Sequence, residues 1–204
     1  MMMAEATNHY FKHLGVSDGL SQVCIPSIFQ DELGAVWLGT TEGLNRYNGK
    51  DVKVFQPSES NHGLTNNEIN ELCGDKNGRM YIRSGNDLIK LDIYTEQFTC
   101  LRQKGVYGLF CKKDTLWVSC ADGIYYYTGQ GTELTFFARV QKGFVGRALY
   151  VDRETVWVVT RKYLVAISRE DPLRQEILLT LDKGNCILGD SSGNIWVGAW
   201  NGLY

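Results

Sequence analysis

An aromatic residue returns along this chain at a nearly fixed step, and that recurrence limits the fold more than any other feature. Val36-Trp37-Leu38, Leu116-Trp117-Val118, Val156-Trp157-Val158 and Ile195-Trp196-Val197 each set a tryptophan between two apolar residues. Met80-Tyr81-Ile82 is a further copy with tyrosine in the aromatic place. Successive aromatics lie 44, 36, 40 and 39 residues apart. A period near 40, with no helical pattern between copies, predicts propeller blades of four short antiparallel strands. The ring in each copy is expected to wedge between neighbouring blades.

The rest of the unit recurs in the same order. An apolar segment precedes each aromatic, at Ile25–Gln30, Ile69–Cys73, Tyr107–Cys111, Ala148–Val151 and Cys186–Leu188. The turn between is Asp-x-x-Gly at Asp31–Gly34, Asp75–Gly78 and Asp190–Gly193, where Asp bonds the turn backbone and Gly supplies positive φ. The turns at Lys113-Asp114 and Arg153-Glu154 are shorter by one residue. Recurrence once per blade assigns these aspartates to turn chemistry rather than to calcium. Third strands follow at Gly43–Tyr47, Leu88–Leu91, Gly123–Tyr127 and Leu164–Ile167, and fourth strands at Val52–Phe55, Gln97–Leu101, Leu134–Ala138 and Glu176–Leu181. The expected fold is all-β, with blades of about 15–57, 58–103, 104–140 and 141–181 and a partial blade at 182–204. Residues 1–9 read as a disordered leading segment, and Tyr10–Leu14 as an outer strand. The expectation is an incomplete part of a seven-bladed ring; closure as five blades, by pairing Tyr10–Leu14 with the last unit, is the alternative.

Composition narrows function. The net charge of −2 gives no basic field for nucleic acid, and no apolar run approaches a membrane span of about 20 residues. Six cysteines (Cys24, Cys73, Cys100, Cys111, Cys120 and Cys186) show no Cys-x-x-Cys spacing. They read as buried free thiols; a zinc site is not expected, and no disulfide pair is specified. The three histidines, His9, His13 and His62, do not converge on one motif, so no catalytic residue, metal or cofactor is assigned.

Three stretches of the first unit carry a resemblance: Phe11–Ser21 with its Asp18-Gly19-Leu20-Ser21, Ile28–Thr40, and Glu42–Gly49. They resemble the two-component regulator propeller repeat of periplasmic sensors in hybrid two-component systems, with which gut bacteria detect glycans. Gly193–Gly198 matches as well, while the third and fourth units match weakly. The resemblance implies a periplasmic sensor that binds an oligosaccharide and forms a homodimer in its parent. Two seven-bladed propellers would then precede an immunoglobulin-like domain, a membrane helix, a histidine kinase and regulator domains. A propeller lyase and a protein-interaction scaffold are the competing classes. The lyase wants a converging base and metal, and the Gly-His and Trp-Asp marks of WD repeats are absent.

Propeller ligands sit where loops converge on the central channel. The loops leading into first strands supply Gln22, Asn66, Asn67 and Arg147. The turns between second and third strands supply Thr41, Glu42, Arg83, Asn86, Asp122, Arg161, Lys162, Trp200 and Asn201. Trp200 stands outside the repeat register, where a flat ring suits a sugar face, and Arg83, Arg161 and Lys162 suit acidic sugars.

Overall fold

The computed structural model describes residues 12–57, 63–75, 77–102 and 104–204. The first blade is β1 (Ser27–Gln30), β2 (Val36–Thr40), β3 (Gly43–Tyr47) and β4 (Val52–Phe55). The second is β5 (Ile69–Gly74), β6 (Arg79–Ser84), β7 (Asp87–Asp92) and β8 (Gln97–Arg102). The third is β9 (Val106–Lys112), β10 (Thr115–Cys120), β11 (Gly123–Tyr127) and β12 (Thr135–Ala138). The fourth is β13 (Gly146–Val151), β14 (Thr155–Thr160), β15 (Tyr163–Ser168) and β16 (Gln175–Thr180). The fifth holds β17 (Gly184–Gly189), β18 (Ile195–Ala199) and β19 (Gly202–Leu203). Each sheet is antiparallel and ordered as its strands come in the chain. Short turns alone can make such connections, and all-β blades follow from them.

The register is the same in every blade. Phe29, Cys73, Phe110, Tyr150 and Leu188 on the first strands stand opposite Trp37, Tyr81, Trp117, Trp157 and Trp196 on the second. The first four of these pairs face the following blade. Trp37 joins Ile69, Met80 and Ile82 of the second blade in one apolar cluster, and Tyr81 joins Val106, Leu116 and Val118 of the third. Trp117 packs with Leu149, Val156 and Val165, and Trp157 lies against the cluster of Val159, Leu164 and Val197. The core is therefore four apolar seams between blades rather than one central mass. Side-chain bonds stitch the seams: Leu72 N–H donates to Ser27 Oγ (2.9 Å), Leu109 N–H to Glu71 Oε2 (3.1 Å), and Ser119 Oγ–H to the Gly146 carbonyl (2.9 Å).

The aspartate turns do two jobs. Asp31 Oδ1 accepts the amides of Leu33 and Ala35, while Oδ2 accepts the Trp37 indole N–H at 2.8 Å. Asp152 and Asp190 hold Trp157 and Trp196 in the same way, at 2.6 and 2.9 Å, and Asp75 accepts the Tyr81 hydroxyl at 3.3 Å. The sequence signal is an aspartate six residues before the aromatic, or five where the turn is short. The third blade has no such bond among the described residues; the Arg169 guanidinium lies over the Trp117 ring instead, at 5.6 Å.

Three expectations change. Lys12–Leu14 form no strand, and Tyr10, Phe11, His9 and His62 lie outside the described residues. The described residues show no seam that would close five blades. Leu188 and Trp196 on one outermost face are 64% and 43% exposed, and Ile28 on the other is 63% exposed, so the two faces do not cover each other. The cysteines are not uniformly buried: Cys120 is buried, Cys73, Cys100 and Cys111 are half-buried, and Cys24 and Cys186 are exposed.

Candidate functional site

Leading loops and second-to-third-strand turns meet on one face, and backbone hydrogen bonds join them. Gly43 N–H donates to the Asn67 carbonyl (2.8 Å), linking the β2–β3 turn to the loop before β5. Val106 N–H reaches the Asn86 carbonyl (3.0 Å) and Gly184 N–H the Arg161 carbonyl (3.0 Å), each across a blade boundary. Gly184 must be glycine for this approach, since a Cβ there would crowd the Thr160 carbonyl and the Val159 and Leu181 side chains.

Four of the candidate residues come together at the fourth and fifth blades. Arg147, Arg161 and Trp200 line a cavity of about 470 Å³ with Lys183, Asn185 and Cys186. Arg147 and Arg161 also line a second cavity of about 390 Å³, with Lys162, Thr160, Tyr107 and Phe144. The two spaces share their arginine wall. Thr160 shapes that wall: its hydroxyl oxygen accepts the Lys162 and Tyr163 amides (3.2 and 2.9 Å), and its hydroxyl reaches the Tyr163 carbonyl (3.1 Å). Arg161 and Lys162 are thereby presented outward on a tight turn, and both are exposed.

Among the described residues no carboxylate lines either cavity, and no ion pair involves Arg147, Arg161, Lys162 or Lys183. The Trp200 ring is 78% exposed, with the Lys183 ammonium 4.8 Å from its centroid. A cluster of unneutralised cations beside an open aromatic face binds anions through charge-assisted hydrogen bonds and flat apolar faces by stacking.

The remaining candidates are elsewhere and mostly engaged. Arg83 donates to Glu71 Oε2 and to the Gly85 carbonyl, each at 3.3 Å. Burial pushes the Glu71 carboxyl up, while the Arg83 guanidinium and the Leu109 amide pull it down. Asp122 accepts from Arg102 (2.8 Å) and the Tyr125 hydroxyl (2.9 Å). Asn66 Oδ1 accepts the Glu68 amide and shapes its own turn, and Gln22 Oε1 accepts the Val23 amide. Asn201 Nδ2 donates to the Tyr204 hydroxyl, and the Glu42 carbonyl accepts from Gln56. Thr41, Asn67 and Asn86 stand on the same face without lining the two cavities. Lys183, Tyr107 and Phe144 are additions of the structure; Lys183 immediately precedes β17, and the register partner of Arg147 in the fifth blade is Asn185.

No protein-family model matches the chain. A curated histidine kinase, P4 of Formosa agariphila, is 38% identical over 55 residues, which are 27% of this chain and 4% of that protein. The extracellular domain of a hybrid two-component system from B. thetaiotaomicron superposes with a TM-score of 0.82 at 23% identity over 94% of this chain. That of a one-component system from the same organism gives 0.75 at 19% identity over 93%. This chain spans 30% of the length of either solved domain. A gluconolactonase from Xanthomonas campestris gives 0.64 at 13% identity, over 86% of this chain and 69% of that one. At these identities the superpositions establish a shared propeller fold.

Proposed function

We propose that this chain is part of the ligand-sensing region of a periplasmic two-component receptor, and that it binds an acidic oligosaccharide. The basic cavity at the fourth and fifth blades carries the reading: Arg147, Arg161 and Lys183, which form no ion pair among the described residues, surround a cavity with Trp200 at its edge. The arginines would take the carboxylate or sulfate of a sugar, Lys162 would reach it from the adjoining space, and Trp200 would stack on a pyranose face. The match of Ile28–Gly49 to the sensor repeat and the short stretch shared with a histidine kinase support the signalling half of the reading. In the parent, further blades, a second propeller and a homodimer partner would complete the receptor.

Calorimetric titration of the parent extracellular region with acidic and neutral oligosaccharides tests this. Acidic members should bind, and Trp200→Ala should weaken them by an amount insensitive to salt. Binding of a protein partner, with no saccharide bound, would replace this reading by an interaction scaffold.

A further inference from the structure

We propose that Cys73 and Cys111 form a disulfide that joins the inner strands of the second and third blades. Their sulfurs lie 2.7 Å apart, both half-buried, on β5 and β9. Cysteines 38 residues apart meet here because of the repeat register, which makes the juxtaposition specific.

In the first blade Phe29 stands opposite Trp37 and presses on Gly74 of the second, where any Cβ would overlap its ring. Tyr150 of the fourth blade presses on Gly189 of the fifth in the same manner. Cys73 holds the place of Phe29 and Tyr150, opposite Tyr81. Cys111 holds the place of Gly74 and Gly189, one residue beyond the partner of the second-strand aromatic. Both halves of a ring-on-glycine contact are thus replaced at one seam, and by the two residue types that bond to each other.

Closure forms one S–S bond and breaks one in an oxidant of the disulfide class, such as glutathione disulfide or an exchange protein. The two protein thiols give up two electrons and two protons, and the oxidant leaves as two thiols. Burial pushes the Cys73 thiol well above its ordinary range, and the neighbouring Cys111, Glu71 and Asp75 add to the shift. The thiolate is the attacking form, so closure runs fastest before the two blades pack. The supply of oxidant in the cell rests on the extracytoplasmic reading above; the pairing does not.

The test equilibrates the purified chain with excess glutathione disulfide, alkylates free thiols in denaturant and digests with trypsin without reduction. The expected product is peptide 54–76 joined to peptide 105–112, abolished by reductant and by Cys73→Ala. Oxidised protein should melt about 5–15 °C above reduced protein, a difference absent from the Cys73→Ala, Cys111→Ala double variant. Full alkylation of both thiols in the oxidised sample, or either one joined to another cysteine, overturns the pairing. A cross-link formed in the tube but missing from parent protein taken from cells counts against the extracytoplasmic reading alone.

Discussion

Trp37 in the first blade and Trp196 in the fifth share one register position and one kind of hydrogen bond, yet one is 0% and the other 43% exposed. Their indole bonds to Asp31 and Asp190 differ by 0.1 Å, at 2.8 and 2.9 Å. Turn and indole bond therefore form from residues within six positions of each other. Burial of the ring is supplied by Ile69, Met80 and Ile82 of the next blade, which Trp196 lacks among the described residues. Local chemistry sets the ring's direction, and the neighbour sets its worth.

Truncation measures that worth. Trp37→Ala should cost about 3–5 kcal/mol in urea unfolding, since it empties a packed seam. Trp196→Ala in this chain should cost about 1 kcal/mol or less, as an exposed position does. Equal losses would break the comparison and move the energy into the turn.

The second and fourth blades differ in the same way in their cations. Arg161→Ala in the parent should weaken an acidic oligosaccharide by about 1.5–3 kcal/mol, the range for a charged hydrogen bond. Arg83→Ala, whose guanidinium already serves Glu71 and Gly85, should change binding by about 0.5 kcal/mol or less. Isothermal titration of both variants decides the point; a larger loss at Arg83 would move the site to the second blade.

The smallest effect concerns acid. Hydrogen bonds from the Trp196 indole and from Asn194 hold the Asp190 carboxyl down at about 2, against an ordinary 3.8. A carboxyl lowered by folding stabilises the fold above its ordinary value and loses that contribution as pH falls through the lowered one. Tryptophan emission should therefore show a step between pH 4 and pH 2 that Asp190→Asn removes. Survival of the step in that variant would assign it to another carboxyl, Asp152 beside Trp157 being also lowered: burial alone would raise it, and bonds from Trp157, Glu154 and Thr155 outweigh that.

The strand order was legible in the sequence because one aromatic per 40 residues fixes the register of everything around it. Arg161, Lys162 and Trp200 were legible as turn residues by position alone, whereas Arg147, expected in a loop, stands on β13 at its register shift. Lys183, Tyr107 and Phe144 were not, since a cavity between two blades takes its walls from strand starts that no spacing marks. The Cys73–Cys111 contact was hidden for a related reason. Only an alignment of the blades through Tyr81 and Trp117 shows that one cysteine fills the place of Phe29 and the other that of Gly74.

The threonine that holds the β14–β15 turn bonds only to backbone among the described residues; Thr40 holds the first blade's turn through the Glu42 amide and the Gly43 carbonyl, and also meets the Ser21 hydroxyl at 2.9 Å. Nothing in that arrangement constrains the side chains at 161 and 162. Mutation can rewrite the side chains these turns present while the blade beneath them stays the same, so the face can change its chemistry without the sheets having to refold.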